Sequence, residues 1–143
     1  MIYLGADHRG FELKEEIKKF LANKKYQFED TGNFDYDPND DYTDFAKLVA
    51  QKVSEKPDGN KGILICGSGV GVDITANKFH GVRSALADDI ATAKQSREHD
   101  DTNVLSLPSE EVDFELAKKI ITIWLETPFS NGEKYKRRIG KIE

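Results

Sequence analysis

Residues 62–78 read GILICGSGVGVDITANK: the apolar run Ile63–Ile65 ends in Cys66, the only cysteine of the chain, and three glycines then alternate. The stretch reads as a buried strand over 62–66, a glycine turn, and a helix over VGVDITANKF. Such a strand–turn–helix unit sets the pattern for the rest of the chain. Upstream, MIYLG is a short strand, and Asp7 or the glycine turn after it starts a helix, FELKEEIKKFLANK, with Leu13, Ile17, Phe20 and Leu21 on one face. YQFED is a second strand, closed by the loop TGNFDYDPNDD, and a helix with Phe45, Leu48, Val49 and Val53 inward leads into 62–66. Downstream, VRSALA and TNVLSL are strands separated by the helix DIATAKQSRE; Pro108 and Ser109 then open a long helix through Ile120, Ile121, Trp124 and Leu125. Strands alternating with helices at this spacing imply βαβ units and a five-stranded parallel sheet covered on both faces, an α/β fold.

Ligands of such sheets sit beyond the carboxyl ends of the strands. The sequence places there ADHRG after strand one and CGSGVG after strand three, and REHDD, in the helix before strand five, is grouped with them. At 143 residues the chain is expected to form one domain, 1–143, long enough to bury a core. A net charge of −5 and a pI near 5.3 argue against a nucleic-acid-binding face. With one cysteine there is no internal disulfide, and without a long apolar run or signal-like start the expected location is cytoplasmic, off the membrane. The basic cluster KYKRRIGK at 134–141 reads either as a solvated tail helix or as part of an anion site.

Gly67, Gly69 and Gly71 let successive backbone N–H groups converge next to a helix start, which suits a phosphate or an oxyanion that develops during reaction. A dinucleotide fingerprint fails because Val72 stands where a third glycine or alanine belongs, and a Walker A loop fails because no Lys-Ser/Thr follows. A merely structural turn explains the glycines equally well. Cys66 likewise has two readings, a small core hydrophobe or a thiol activated at a helix N-terminus. Asp73 suits the first turn of the helix but opposes a thiolate nearby. His8 and His99 each adjoin an acid, Asp7 and Asp100, while His80 is read as surface; no metal-ligand spacing is present and no metal is expected.

Taken in order, GADHRGFELK, DDYTDFA at 40–46, GILICGSGVGVDITANK, GVRSAL at 81–86 and REHDDTNVLSL at 97–107 resemble the ribose-5-phosphate isomerase type B / galactose-6-phosphate isomerase family over nearly the whole chain. The resemblance implies a Rossmann-like three-layer sandwich with a C-terminal helical tail. It also implies a homodimer, often paired into a tetramer, with active sites at the subunit interface. The implied chemistry is cofactor-free, metal-free aldose–ketose isomerisation of a sugar or sugar phosphate through an enediolate. Cys66 would carry the proton between C2 and C1, and Ser68, where the family commonly has Thr, would move the proton between O1 and O2. Backbone amides from Gly67 through Gly69, Val70, Gly71 and Asp73 to Ile74 would hold the oxyanion. His99 would assist ring opening, Asp7 and Tyr42 would contact the sugar, and His8 and Arg137 the phosphate.

The departures cluster at the phosphate end. Asp100 stands where the family usually has Asn, Glu110 where it commonly has Arg, and the tail motif Gly-Gly-Arg-His-x-x-Arg appears as NGEKYKR, with Glu133 and Lys134 replacing Arg and His and Arg137 retained. A carboxylate in place of an arginine sets like charge near a phosphate dianion. Three expectations follow from this: Lys134 and Arg137 suffice for a phosphate, the substrate is a different or unphosphorylated sugar, or the protein binds a sugar or anion without turnover.

Overall fold

The computed structural model describes residues 1–142. Five strands, β1 (Ile2–Ala6), β2 (Phe28–Asp30), β3 (Lys61–Cys66), β4 (Ser84–Leu86) and β5 (Val104–Pro108), form one parallel sheet in the order β2-β1-β3-β5-β4. Six helices accompany them: α1 (Phe11–Asn23), α2 (Tyr42–Glu55), α3 (Val70–Ala76), α4 (Ile90–Asp100), α5 (Phe114–Glu126) and α6 (Glu133–Ile139). The expected α/β sandwich is therefore present, tail helix included.

Alternation along the strands divides the core in two. Leu4, Ala6, Ile63, Ile65, Leu105 and Leu107 face Ile17 and Leu21 of α1, Ala93 of α4, and Ile120, Ile121 and Trp124 of α5. Leu64, Cys66 and Val104 face Val49 and Val53 of α2 and Val72 and Ala76 of α3. Full burial of each large aliphatic contributes roughly 1.5–3 kcal/mol. Gly62 makes the second layer possible, since a Cβ there would lie 2.5 Å from Val49 Cγ1. Cys66 thus belongs to the α2/α3 core by position, at the last residue of its strand.

Two sequence expectations are corrected, and one buried residue is added. Leu48 is 46% exposed, and the inward face of α2 is Ala46, Val49, Ala50 and Val53. Pro108 and Ser109 do not open a helix: Pro108 pairs with Cys66 as the end of β5, and α5 starts at Phe114, where the Asp113 side chain accepts from the Leu116 N–H at 2.8 Å. The apolar face of α1 also contains Lys14, fully buried beside Leu13, Ile17 and Leu21. Its ammonium donates to both Asp30 oxygens at 2.8 and 2.7 Å and to the Asn33 carbonyl at 2.7 Å, so a charge placed among apolar side chains is paired.

The chain leaves β1 towards β2 and returns on the other side of β1 as β3. The loops after β1 and β3 therefore diverge and open a crevice at the carboxyl end of the sheet. This is where the glycine turn falls.

Candidate active site

The loop after β1 begins with Asp7, 4% exposed, whose carboxylate accepts the N–H groups of Arg9 and Gly10 at 3.0 and 3.1 Å. Burial pushes the Asp7 carboxyl above its usual range, against the lowering effect of the Gly10 N–H, the His8 charge and the Arg9 N–H. The backbone must turn tightly here because a Cβ at Gly10 would sit 2.5 Å from the Ile65 carbonyl oxygen. His8 points Nδ1 at Asp40 Oδ1, 2.7 Å away, and its N–H donates to the same oxygen at 2.9 Å. Burial raises the Asp40 carboxyl, but the His8 side chain, the Asn33 amide and the His8 N–H outweigh it and hold the group below its usual range. Asp7, His8 and Asp40 come within 4.8 Å of one another. The His8–Asp40 hydrogen bond accounts for that closeness.

The loop after β3 carries Cys66, 5% exposed, with the Gly69 N–H donating to its Sγ at 3.1 Å. Gly69 adopts φ 73°, a left-handed conformation that bends the chain from strand into α3 and aims its N–H back at the sulfur. Ser68 is exposed at the mouth, its Oγ accepting from the Val70 N–H at 3.3 Å. Past the turn, the N–H groups ahead of Asp73 have no carbonyl partner inside α3, whereas the Asp73 N–H donates to the Gly69 carbonyl at 3.2 Å. The Tyr42 ring closes over α3, where a Cβ on Gly71 would lie 2.5 Å from Tyr42 Cζ. The backbone carbonyls of Cys66 and Gly67 accept the N–H groups of Ser109 and Glu110 at 2.9 and 3.0 Å, which joins the loop after β5 to the cradle.

Asp73 faces β4 and β5. Ser84 Oγ donates to its Oδ1 at 2.7 Å and lies 2.9 Å from Ser106 Oγ. Burial pushes the Asp73 carboxyl up, with the Ser84 and Ser106 hydroxyls opposing. Val70 and Ile74, on the same helix, are 45% and 56% exposed.

His99 and Asp100 are not at this end of the sheet. They form the last turn of α4, which precedes β5, and in a parallel sheet that turn lies at the amino ends of the strands. Arg83, just ahead of β4, donates to the Asp100 carbonyl at 2.9 Å there. With β5 five residues long, about 16 Å of strand separates the two ends. The sequence grouping of REHDD with the carboxyl-end loops is thus corrected: one chain does not bring His99 to Cys66.

His99 has a different neighbourhood. Its ring stacks on Tyr135 of α6, centroids 4.3 Å apart and planes 12° from parallel. Ser130 Oγ fastens the tail by donating to the Glu98 carbonyl at 2.6 Å. Lys134 Nζ and Arg138 Cζ lie 5.0 and 6.0 Å from the Tyr135 centroid. Arg138 was missed by the sequence analysis, although four-residue spacing from Lys134 places both on one helix face; Arg137 is exposed on the same helix. No side chain of α6 is buried, as expected of a solvated tail, yet Tyr135 stacks on His99 and Lys134 and Arg138 gather at the Tyr135 ring.

A parallel α/β protein with a nearly buried thiol beside a glycine turn at its topological switch point is built for chemistry on a small anionic or carbonyl-bearing substrate. The sequence model of the Ribose/Galactose Isomerase family matches residues 2–142, and the chain belongs to that family of aldose–ketose isomerases. It is 45% identical to the probable ribose-5-phosphate isomerase B of Mycoplasma pneumoniae, over 99% of this chain and 91% of that one. It is 42% identical to ribose-5-phosphate isomerase B of Escherichia coli, over 99% and 93%. Its structure superposes on ribose-5-phosphate isomerase B from Mycoplasma genitalium with bound ribulose-5-phosphate, at a TM-score of 0.96 and 45% identity, covering 99% and 92% of the two chains. No helix among the described residues is long and apolar enough to cross a membrane.

Proposed function

We propose that this chain interconverts ribose 5-phosphate and ribulose 5-phosphate, as a cytoplasmic single-domain protein, with Cys66 as the base. The observation that carries the reading is the Cys66 sulfur, 5% exposed and held by the Gly69 N–H at the entrance to the cradle. In the open-chain aldose the thiolate takes the C2 proton. The C2–H electron pair becomes the C1=C2 bond, and the carbonyl pair moves onto O1, which the cradle amides receive. The protonated sulfur then returns its proton to C1, while Ser68 relays the O2 proton to O1, leaving a ketone at C2. A carbon acid beside a carbonyl needs both parts: a positioned base contributes roughly 10²–10⁴-fold and one oxyanion donor about 10²–10³-fold.

Asp7 and Tyr42 hold the sugar hydroxyls and His8 meets the phosphate. His99, with Asp100, Lys134, Arg137 and Arg138, reaches this site from a second copy. Two observations support the homodimer. The groups fall at opposite ends of one sheet, so a two-fold arrangement can join them. Tyr42, Leu48, Val70 and Ile74, all on the helices that flank the cradle, are 40–56% exposed, an apolar surface suited to burial by a partner.

Two of the three acids that count against a phosphate in the sequence, Glu110 and Glu133, are paired. Glu110 meets Arg9, and Glu133, its side chain 91% exposed, meets Lys136 at 3.3 Å. The substrate is therefore expected to be phosphorylated. Coupled assays on ribose 5-phosphate and free D-ribose check this: kcat/KM should favour the phosphate ester by at least about 100-fold, the worth of two charge-assisted contacts. A preference for the free sugar would restore the reading in which the acids select an unphosphorylated substrate.

A further inference from the structure

Arg9 touches all three loops of the crevice. Its N–H donates to Asp7 Oδ1 at 3.0 Å, and its carbonyl accepts from Ser109 Oγ at 2.8 Å. Its guanidinium pairs with Glu110 through Nη2 and lies over Gly67, where the Cβ of any other residue would strike Cζ, Nε and Nη1. Glu110 is itself fixed to the cradle, its N–H donating to the Gly67 carbonyl at 3.0 Å.

We propose that Arg9 is a specificity-determining residue: its guanidinium over Gly67 binds the phosphate of the substrate, and Glu110 is the positioning residue that fixes it there. The inference rests on the isomerase reading for its substrate, though the binding of a phosphate can be tested without turnover. A guanidinium carries five N–H donors, and one carboxylate uses at most two of them. The donors not engaged by Glu110 sit at the mouth of the cradle, on side chains that remain 50% and 49% exposed and so reachable by a ligand. A flexible arginine normally loses much of its binding to side-chain ordering. Here Glu110, tied to the Gly67 carbonyl, has already restricted it. The pair also cancels the negative charge that Glu110 alone would present to a phosphate. Exposed pairs of this kind contribute little to folding, so Arg9 can be replaced without unfolding the chain.

The test compares the full-length wild type, Arg9→Ala and Arg9→Lys by calorimetric titration with inorganic phosphate and by steady-state kinetics on ribose 5-phosphate. Arg9→Ala should weaken phosphate binding and raise KM by about 10- to 100-fold, with kcat within threefold and an unchanged melting temperature. Arg9→Lys, which keeps the charge but loses the planar fork, should fall between. Phosphate affinity and KM that stay within twofold of wild type in Arg9→Ala would overturn the proposal. Phosphate binding that depends on Arg9 in a wild type with no turnover of ribose 5-phosphate would uphold the Arg9 assignment and remove the isomerase reading instead.

Discussion

Replacing Cys66 with alanine is expected to lower kcat on ribose 5-phosphate by roughly 10²–10⁴-fold while leaving KM nearly unchanged. The sulfur is held at the cradle mouth by a backbone donor from the turn itself, the Gly69 N–H at 3.1 Å. Removing it deletes the base and leaves the oxyanion donors in place, so residual activity should survive. The structural effect should be small, since one sulfur is removed from the end of β3 and the cavity costs about 1 kcal/mol. Hydrogen exchange separates the two effects. In deuterated water the wild type should incorporate deuterium at the carbon that receives the proton, and Cys66→Ala should incorporate it at the rate of its residual turnover. Undiminished turnover and exchange in Cys66→Ala would mean that another group is the base.

The second large effect concerns the fold. Asp30→Asn is expected to cost about 3–5 kcal/mol, because it strips a fully buried ammonium of its partner. Lys14 is fully buried on the inner face of α1, and what remains to it is the Asn33 carbonyl at 2.7 Å and the Glu15 carboxylate at 3.7 Å, too long for a hydrogen bond. Lys14→Met combined with Asp30→Asn should recover most of the loss, since removing both charges of a buried pair is often neutral. The same pair sets an acid limb. Burial alone would raise the Asp30 carboxyl, but the Lys14 and Lys18 ammonium groups, the Gly32 N–H and the Lys14 charge hold it below the 3.8 of an unperturbed aspartate. The unfolded chain then binds the Asp30 proton first as pH falls. The contribution of this group is complete above pH 3.8 and is lost as pH drops through its folded value. Urea titrations at neutral and acid pH should show this limb in the wild type and its absence in the double variant. A single-variant loss below 1 kcal/mol would show that Lys14 finds other solvation.

The parts of the fold written in local pattern were legible. The apolar run into Cys66 and the alternating glycines gave β3, the turn and α3 without outside help, because strand, tight turn and helix start each leave a local mark. The pole on which His99 sits was legible in principle, since a helix that precedes a parallel strand must end at its amino side. Its polarity instead groups it with the loops at the carboxyl ends. Lys14 and Arg9 were not legible: their partners, Asp30 and Glu110, lie 16 and 101 residues away in sequence, and nothing local announces them. Leu48 misled because its helical spacing fits the inner face as well as an outer apolar one. The exposed Leu48 then became informative, as part of the surface around the cradle.

The central claim is that one site is shared between two copies, Cys66 from one and His99 from the other. Chains carrying Cys66→Ala and chains carrying His99→Ala, each expected to keep only residual activity alone, can be unfolded together in equal amounts and refolded. Half of the resulting dimers should be mixed, and each mixed dimer has one site with both defects and one site with neither. The mixture should regain about a quarter of wild-type activity. A mixture no more active than the average of the two parents would show that no site takes Cys66 from one chain and His99 from another, and would contradict the account.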